Sequence, residues 1–459
     1  MPADALDPRP ALRLGPTLPP PSFDGRGQTR RPASGAWDDA LRMATPAAIH
    51  MGLVAATFVG DRALVGRLMP EGLAAIHLPS TVLWTLTSVV GAMASAALAV
   101  VGRRHGEDRA TGPAVVGALE LAWRAGMITA VVGAALGAGL LWTLVPGLRD
   151  AALVYLLLAL PAVPFAAVQA TVAGSLQAVG DARTPLALGA IGAVAHLGIT
   201  AAVMSTLPET GIAGAALGAS FGFGVQATLG WVVLRQRFGL RADGDTVKEA
   251  RGALWMVARG AVAEKLALHL GLLGYAAAIA GLGAEAMAAN QALLSVESVA
   301  FPVAEGCGIA AASLVARRLG ARDPRGALRY AGMASALAGA VLVAFGVLVL
   351  AAPGAWLTVF GVDSPTARTV APYLALAQPP MAVAVVGAMA LRGAGATHWA
   401  LGITAAGTVL RLVGTWFFAF VLEAGLPGAW LASAVDWGLQ ALLFGVVLRR
   451  VLTRPGVLA

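Results

Sequence analysis

Several ionisable side chains stand inside long apolar runs of this chain: Asp61, His196, Glu264, Lys265, Glu297, Glu305, Arg411 and Asp436. A charge at the centre of a bilayer costs on the order of 3 kcal/mol by insertion scales, so such residues are kept for ion binding, substrate attraction or mutual pairing. Asp61 comes late in its run. Held in a low-dielectric cavity, a carboxylate binds and releases protons near neutral pH; paired with Arg62 or Arg67 at an interface, it would only be structural. His196 and Thr200 are one helical turn apart and face the same way, and an unperturbed imidazole titrates at about pH 6.5. Glu297 and Glu305 fall on roughly one side of a single helix, where either can attract a cationic substrate or carry a proton. Glu264 neighbours Lys265, and the two can neutralise each other locally. Glu264, Gln378 and Met381 join Glu297 as candidates for a substrate cavity. Arg411 and Asp436 read as a structural ion pair.

Composition sets the elements that must hold these groups. Of the 459 residues, 58% are hydrophobic and 12% charged, which is about half the charged share of an ordinary soluble domain. Lipid is therefore the solvent for most side chains. The strongly basic balance raises nucleic-acid binding, but the 32 basic residues sit in short segments between apolar runs. That distribution is a topology signal, and no nucleic-acid partner is expected. Cys307 is the single cysteine, which excludes an internal disulfide and any cysteine metal cluster. Loops are short and contain no His-x-x-x-x-Asp, Walker or metal-ligand spacing, so neither an enzyme nor a cofactor is expected.

A helix needs about 20 apolar residues to cross a ~30 Å hydrocarbon core. That rule predicts twelve spans, beginning near Met43, Leu78, Val115, Ala151, Pro185, Gly211, Leu254, Ala286, Ala327, Val370, His398 and Pro427. Runs such as 341–351 lack the alternation of barrel strands, leaving helices as the only way to satisfy the backbone in lipid. The fold class is thus an all-α polytopic membrane protein. Residues 1–40, rich in Pro, Arg and Gly, read as a disordered cytoplasmic tail. Residues 41–236 and 252–451 read as two six-helix bundles, 237–251 as a cytoplasmic linker and 452–459 as a second tail. With both ends inside, inner segments hold 24 of the 32 basic residues, as the positive-inside rule requires. No apolar signal-peptide run precedes the first span, and a bacterial-type inner membrane is the expected location.

The two halves repeat. Glu71-Gly72-Leu73-Ala74-Ala75 recurs as Glu285-Ala286-Met287-Ala288-Ala289, and at the same offset Arg103-Arg104-His105-Gly106 meets Arg317-Arg318-Leu319-Gly320. Six spans per copy is even, so the copies share one orientation, an axis along the membrane normal and a site between them near mid-membrane. Small residues allow close helix approach, and Pro46, Pro161, Pro164, Pro302 and Pro379-Pro380 are candidate kinks. Tryptophans such as Trp84 and Trp430 cluster near span ends as interfacial anchors, with room for one or two in a cavity.

Several of these segments carry a family resemblance. They are Asp61-Arg62-Ala63-Leu64-Val65-Gly66-Arg67-Leu68, Gly180-Asp181-Ala182-Arg183-Thr184-Pro185 and Ala288-Ala289-Asn290-Gln291. To these add Leu314-Val315-Ala316-Arg317-Arg318-Leu319-Gly320-Ala321, Leu391-Arg392-Gly393-Ala394-Gly395 and Gly428-Ala429-Trp430-Leu431-Ala432 with Asp436-Trp437. In this order, over about residues 40–450, the chain resembles the multidrug and toxic compound extrusion (MATE) transporters. The resemblance implies an antiporter, monomeric in membrane lipid, that expels small organic and often cationic compounds against a proton or sodium flux. Asp61 then occupies the recurring acidic position of span one, which implies ion coupling.

Many members place Asn at the position of His196 and Asp at that of Thr200. The change removes a carboxylate and adds an imidazole, so His196 reads as a relay partner of Asp61 and the proton as the driving ion. Glu305 stands where one branch is acidic. The NorM-type branch carries a span-seven Glu, whose register Glu264 does not match, and a span-ten acid that is Met381 here. Asp436 is often acidic in the family. Related flippases of lipid-linked sugars are the rival reading; the few in-span bases, Arg124, Arg259, Lys265 and Arg411, suit a phosphate-bearing lipid poorly. A non-transporting scaffold would not need the polar in-span groups. By the repeat, Asp61 aligns with Tyr275, so the coupling chemistry leans to the N-terminal copy.

Overall fold

The computed structural model describes residues 33–69, 72–144, 149–207, 212–240, 244–359 and 364–453. Among these, every regular element is helical, and twelve spans are long and apolar enough to cross a membrane. The first half contains α1 (Ala33–Leu68), α2 (Gly72–Gly106), α3 (Gly112–Leu144), α4 (Arg149–Ala159), α5 (Ala162–Ala178), α6 (Arg183–Thr206) and α7 (Ala213–Phe238). The second contains α8 (Gly244–Ala280), α9 (Ala284–Gly320), α10 (Pro324–Ala351), α11 (Pro353–Val359), α12 (Pro365–Gly393), α13 (Thr397–Thr415) and α14 (Gly425–Thr453). Large apolar side chains are turned outward, Leu136 being 71% and Val194 74% exposed. Facing water, such surfaces would drive aggregation; facing lipid tails, they are at home.

Two large apolar cores organise the halves. One joins Val65, Leu141, Leu156, Met204 and Ala219 with Leu254 of α8. The other runs from Tyr275 and Leu293 through Met381 and Leu391 to Phe444 and Leu452. Span four is divided: α4 ends at Ala159 and α5 begins at Ala162, with Pro161 and Pro164 at the junction, where missing N–H groups cannot extend the helix ladder. Pro46, Pro302, Pro379 and Pro380 lie within continuous helices instead. The span begun by α13 finishes in a π-helical turn, Trp416–Val421.

The segment boundaries depart from those expected. Residues 33–40, assigned to a structureless tail, are the first turns of α1: Ala36 and Ala40 bury against Leu314, Tyr330 and Met333. The Tyr330 hydroxyl also donates to Asp39 at 3.2 Å. Small residues at helical spacing made this segment look featureless in sequence, although a large partner covers them. Residues 1–32 and 454–459 of the expected tails lie outside the described residues. Most of the expected linker 237–251 is likewise helical, because α7 closes on Gly239 in the left-handed region (φ 66°) and α8 starts at Gly244.

At the arginine-rich end, α2 and α9 cross at positions related by the repeat. A Cβ on Gly106 would overlap the Arg317 carbonyl, and one on Gly320 would overlap the Arg103 carbonyl. Gly102 lies against Ala316 in the same crossing. The two halves are therefore sealed together at this end by backbone contact that only glycine permits. Charged contacts flank it, with Arg104 and Glu249 at 3.3 Å and Arg251 and Glu120 at 3.3 Å.

Candidate coupling site

Asp61 lies late on α1 and its side chain is 12% exposed. One carboxylate oxygen, Oδ1, is 3.1 Å from His196 Nε2 and accepts a hydrogen bond from Thr200 Oγ1, also at 3.1 Å. Local packing explains why α6 points these two side chains at α1. A Cβ at Gly222 of α7 would sit 2.7 Å from His196 Cβ, and one at Gly218 would collide with Thr200. The glycine face of α7 thus admits α6 closely and leaves room for the side chains of His196 and Thr200, which reach Asp61. Leu197, between them, packs over Gly60. Arg62 does not engage Asp61; its guanidinium lies 4.5 Å above the Phe58 ring. Tyr155 of α4, buried, is near enough to feel the Asp61 charge. Sequence reasoning missed it because nothing in an apolar run marks a tyrosine 94 positions away as a neighbour.

The C-terminal half treats its carboxylates differently. Glu264 is held by the guanidinium of Arg392 from α12, with Nη2 to Oε1 at 2.6 Å and Nε to Oε2 at 2.9 Å, and Thr404 of α13 donates to Oε1 at 3.1 Å. The expected Glu264–Lys265 neutralisation is corrected accordingly: adjacent helical residues point about 100° apart, and Arg392 supplies the fork that a carboxylate prefers. Lys265 shares its surroundings with Arg392, Glu305 and Glu264. Glu305 consequently joins this cluster, whereas Glu297 faces Arg411 and leaves Oε1 without a partner among the described residues. The two glutamates share a helix but answer to different cations. Arg411 binds Asp436 Oδ2 through Nε at 2.9 Å and Nη2 at 2.7 Å, stacks on Trp437, and leaves Oδ1 to Gln440 at 2.8 Å.

Gln378 and Met381 do not line a cavity. Both have no exposed surface; Gln378 donates to the Leu374 carbonyl at 3.3 Å and Met381 is part of the C-terminal core. The reason is that α12 is packed by α9, α10 and α14 at once, which turns these positions inward. Tyr275, the repeat counterpart of Asp61, donates to Asn290 Oδ1 at 3.4 Å, and the buried Trp430 donates to the same atom at 3.1 Å. Trp84 packs at a tilt against His269 of α8, with ring centroids 4.9 Å apart. A recess of about 530 Å³ between α3 and α7, bordered by Glu120, Trp231 and Arg235, contains none of the site residues.

A family model, MatE, matches residues 46–202 and 270–417. The chain belongs to this family. A probable multidrug resistance protein NorM from Bradyrhizobium diazoefficiens is 28% identical over 90% of this chain and 94% of its own length. One of the same name from Caulobacter vibrioides is 32% identical, but that match spans only 36% of this chain and 33% of the relative. Among solved structures, a MATE transporter in its straight conformation superimposes with a TM-score of 0.82 at 15% identity, covering 91% of this chain and 96% of that one. A MOP-superfamily transporter from Pyrococcus furiosus, described as having a binding pocket of reversed polarity, gives 0.78 at 16% identity over 91% and 97%. At such identities the likeness establishes the MATE fold and nothing about substrate.

Proposed function

We propose that this MATE protein is a proton-coupled antiporter exporting organic, often cationic compounds by alternating access between its two bundles. One observation carries the reading. Asp61 is a buried carboxylate whose partners, His196 and Thr200, bear no permanent charge. Nothing locks it in the ionised form, and an imidazole 3.1 Å away can take or supply its proton. A site of one carboxylate, one hydroxyl and one imidazole also suits sodium less well than a set of oxygens, the ligands hard cations prefer. The names of the NorM relatives support the substrate class.

The test is reconstitution with pH and sodium gradients imposed separately, following a panel of fluorescent organic cations. Export should follow the pH gradient and disappear in Asp61→Asn. Export driven by sodium alone would overturn proton coupling. If neither gradient moved any compound, lipid-linked substrates would replace organic cations as the cargo to pursue.

A further inference from the structure

His50 lies on α1 in the half nearer the arginine-rich end and is only 5% exposed, yet neither ring nitrogen has a hydrogen-bond partner among the described residues. A neutral imidazole carries one donor and one acceptor. Leaving both unmet in a dry seam is costly, while an apolar side chain of similar size would pack there without that penalty. The fold nevertheless makes room for the ring. Gly189 of α6 faces it, and a Cβ there would come 2.7 Å from Cδ2 and 2.8 Å from Nε2. One turn further along α6, Gly192 is covered by the Gln226 side chain from α7, so the seam holds a second polar group.

The register connects this ring to the coupling site. His50 faces Gly189 as Asp61 faces Thr200, and both pairs are 139 positions apart in sequence. Hence α1 and α6 run parallel, and one face of α1 carries His50, Thr57 and Asp61. The Thr57 hydroxyl donates to the Leu53 carbonyl at 2.8 Å, which leaves its oxygen able to accept. At 1.5 Å per residue, His50 stands about 16 Å from Asp61 along the helix axis. That is too far for contact and suited to a short chain of water.

We propose that His50 is the proton site serving Asp61 and His196 from the arginine-rich, cytoplasmic side. A proton leaving the Asp61 carboxyl passes through water along the α1–α6–α7 seam and binds the ring nitrogen that lacks one, giving an imidazolium. It then departs to cytoplasmic water and the ring returns to neutral. The proposal rests on Asp61 being the coupling carboxylate. Among the described residues, no charged side chain pairs with the ring. From α6 it meets Gly189, and from α7 the neutral Gln226. On α9, Gly306 packs on Ala48, and Glu305 is within electrostatic reach of Lys265 and Arg392. On α10, Tyr330 binds Asp39, about three turns further toward the helix start. The α2 segment between His77 and Arg103 carries no charge.

The experiment uses full-length protein in oriented proteoliposomes, with pH set independently on the two sides and ethidium as the exported cation. In His50→Gln, export should fall at least roughly tenfold. Its dependence on cytoplasmic-side pH should flatten, while dependence on the opposite side persists. Gly189→Ala, which keeps the imidazole but displaces it, should give an intermediate loss, and it decides the matter if His50→Gln fails to bind ethidium in detergent. A wild-type rate with wild-type pH dependence on both sides, beside an uncoupled Asp61→Asn, overturns this proposal alone. If Asp61→Asn still couples, the reading of Asp61 falls and the role of His50 with it.

Discussion

The α1–α6 seam and the α8–α12–α13 cluster both bury carboxylates, but they pair them with opposite kinds of partner. Asp61 meets an imidazole and a hydroxyl; Glu264 meets a bidentate guanidinium, and Asp436 meets another. Arginine keeps its proton at every relevant pH, so a carboxylate clamped by it faces a permanent positive charge and acts as a strut. A carboxylate beside histidine has a partner that bears no permanent charge. The contrast extends to the repeat itself. Where the first copy has Asp61, the second has Tyr275 in a neutral network with Asn290 and Trp430, which holds helices together without a carboxylate. One scaffold, used twice, thus pairs its carboxylate with uncharged partners in one copy and builds rigid neutral or arginine-clamped contacts in the other.

The sharpest test of this contrast is to neutralise one carboxylate from each region. Glu264→Gln strands Arg392 without its counter-charge and should lower stability by about 3–5 kcal/mol, read as thermal unfolding in detergent. Adding Arg392→Gln should restore most of the loss. Asp61→Asn strands no fixed charge, so it should abolish pH-driven export with little change in unfolding temperature. If Asp61→Asn proved the more destabilising of the two, the division of labour would be wrong.

A smaller effect is expected at the second strut. Asp436→Asn should cost about 1.5–3 kcal/mol, because Arg411 is partly exposed and keeps its place over Trp437. Within the seam, His196→Asn tests the relay. Drug-driven proton release in the wild type should vary with pH, the imidazole serving as proton acceptor. In the variant the profile between about pH 6 and 8 should be flat, and an unchanged profile would remove His196 from the mechanism. The least effect belongs to Thr200→Val, which deletes one hydrogen bond to Asp61. It should slow coupled export only severalfold, in line with about 1 kcal/mol.

Much of this was legible in sequence. Twelve apolar runs, the arginine bias and the repeated motifs follow from how lipid treats side chains and backbone, and they needed no tertiary contact to be read. Asp61 was marked as an ionisable group in an apolar run and by the family resemblance, and His196 and Thr200 by the family positions they occupy one turn apart. The grip of Arg392 on Glu264 was not legible, because the two are 128 positions apart and nothing local distinguishes that arginine from a loop residue obeying the positive-inside rule. Gln378 and Met381 failed for a related reason: polarity and family position marked them, but burial depends on how many neighbours α12 has. His50 escaped notice because a lone histidine in an apolar run is informative only once its partners are known.

By itself, the sequence determined solvent and span number, since these depend on the transfer free energy of segments taken one at a time. It also determined that the two halves share a scaffold and that the acidic position of the first is lost from the second. Tertiary structure decided which charge meets which. The glycine face of α7 presses His196 and Thr200 onto Asp61, α12 brings Arg392 to Glu264, and Gly106 and Gly320 let two distant backbones touch. Pairing energies in a low-dielectric interior depend on distances of a few ångströms between segments remote in the chain. Folding fixes those distances, and here they separate a carboxylate with an imidazole and a hydroxyl for partners from one clamped by a guanidinium.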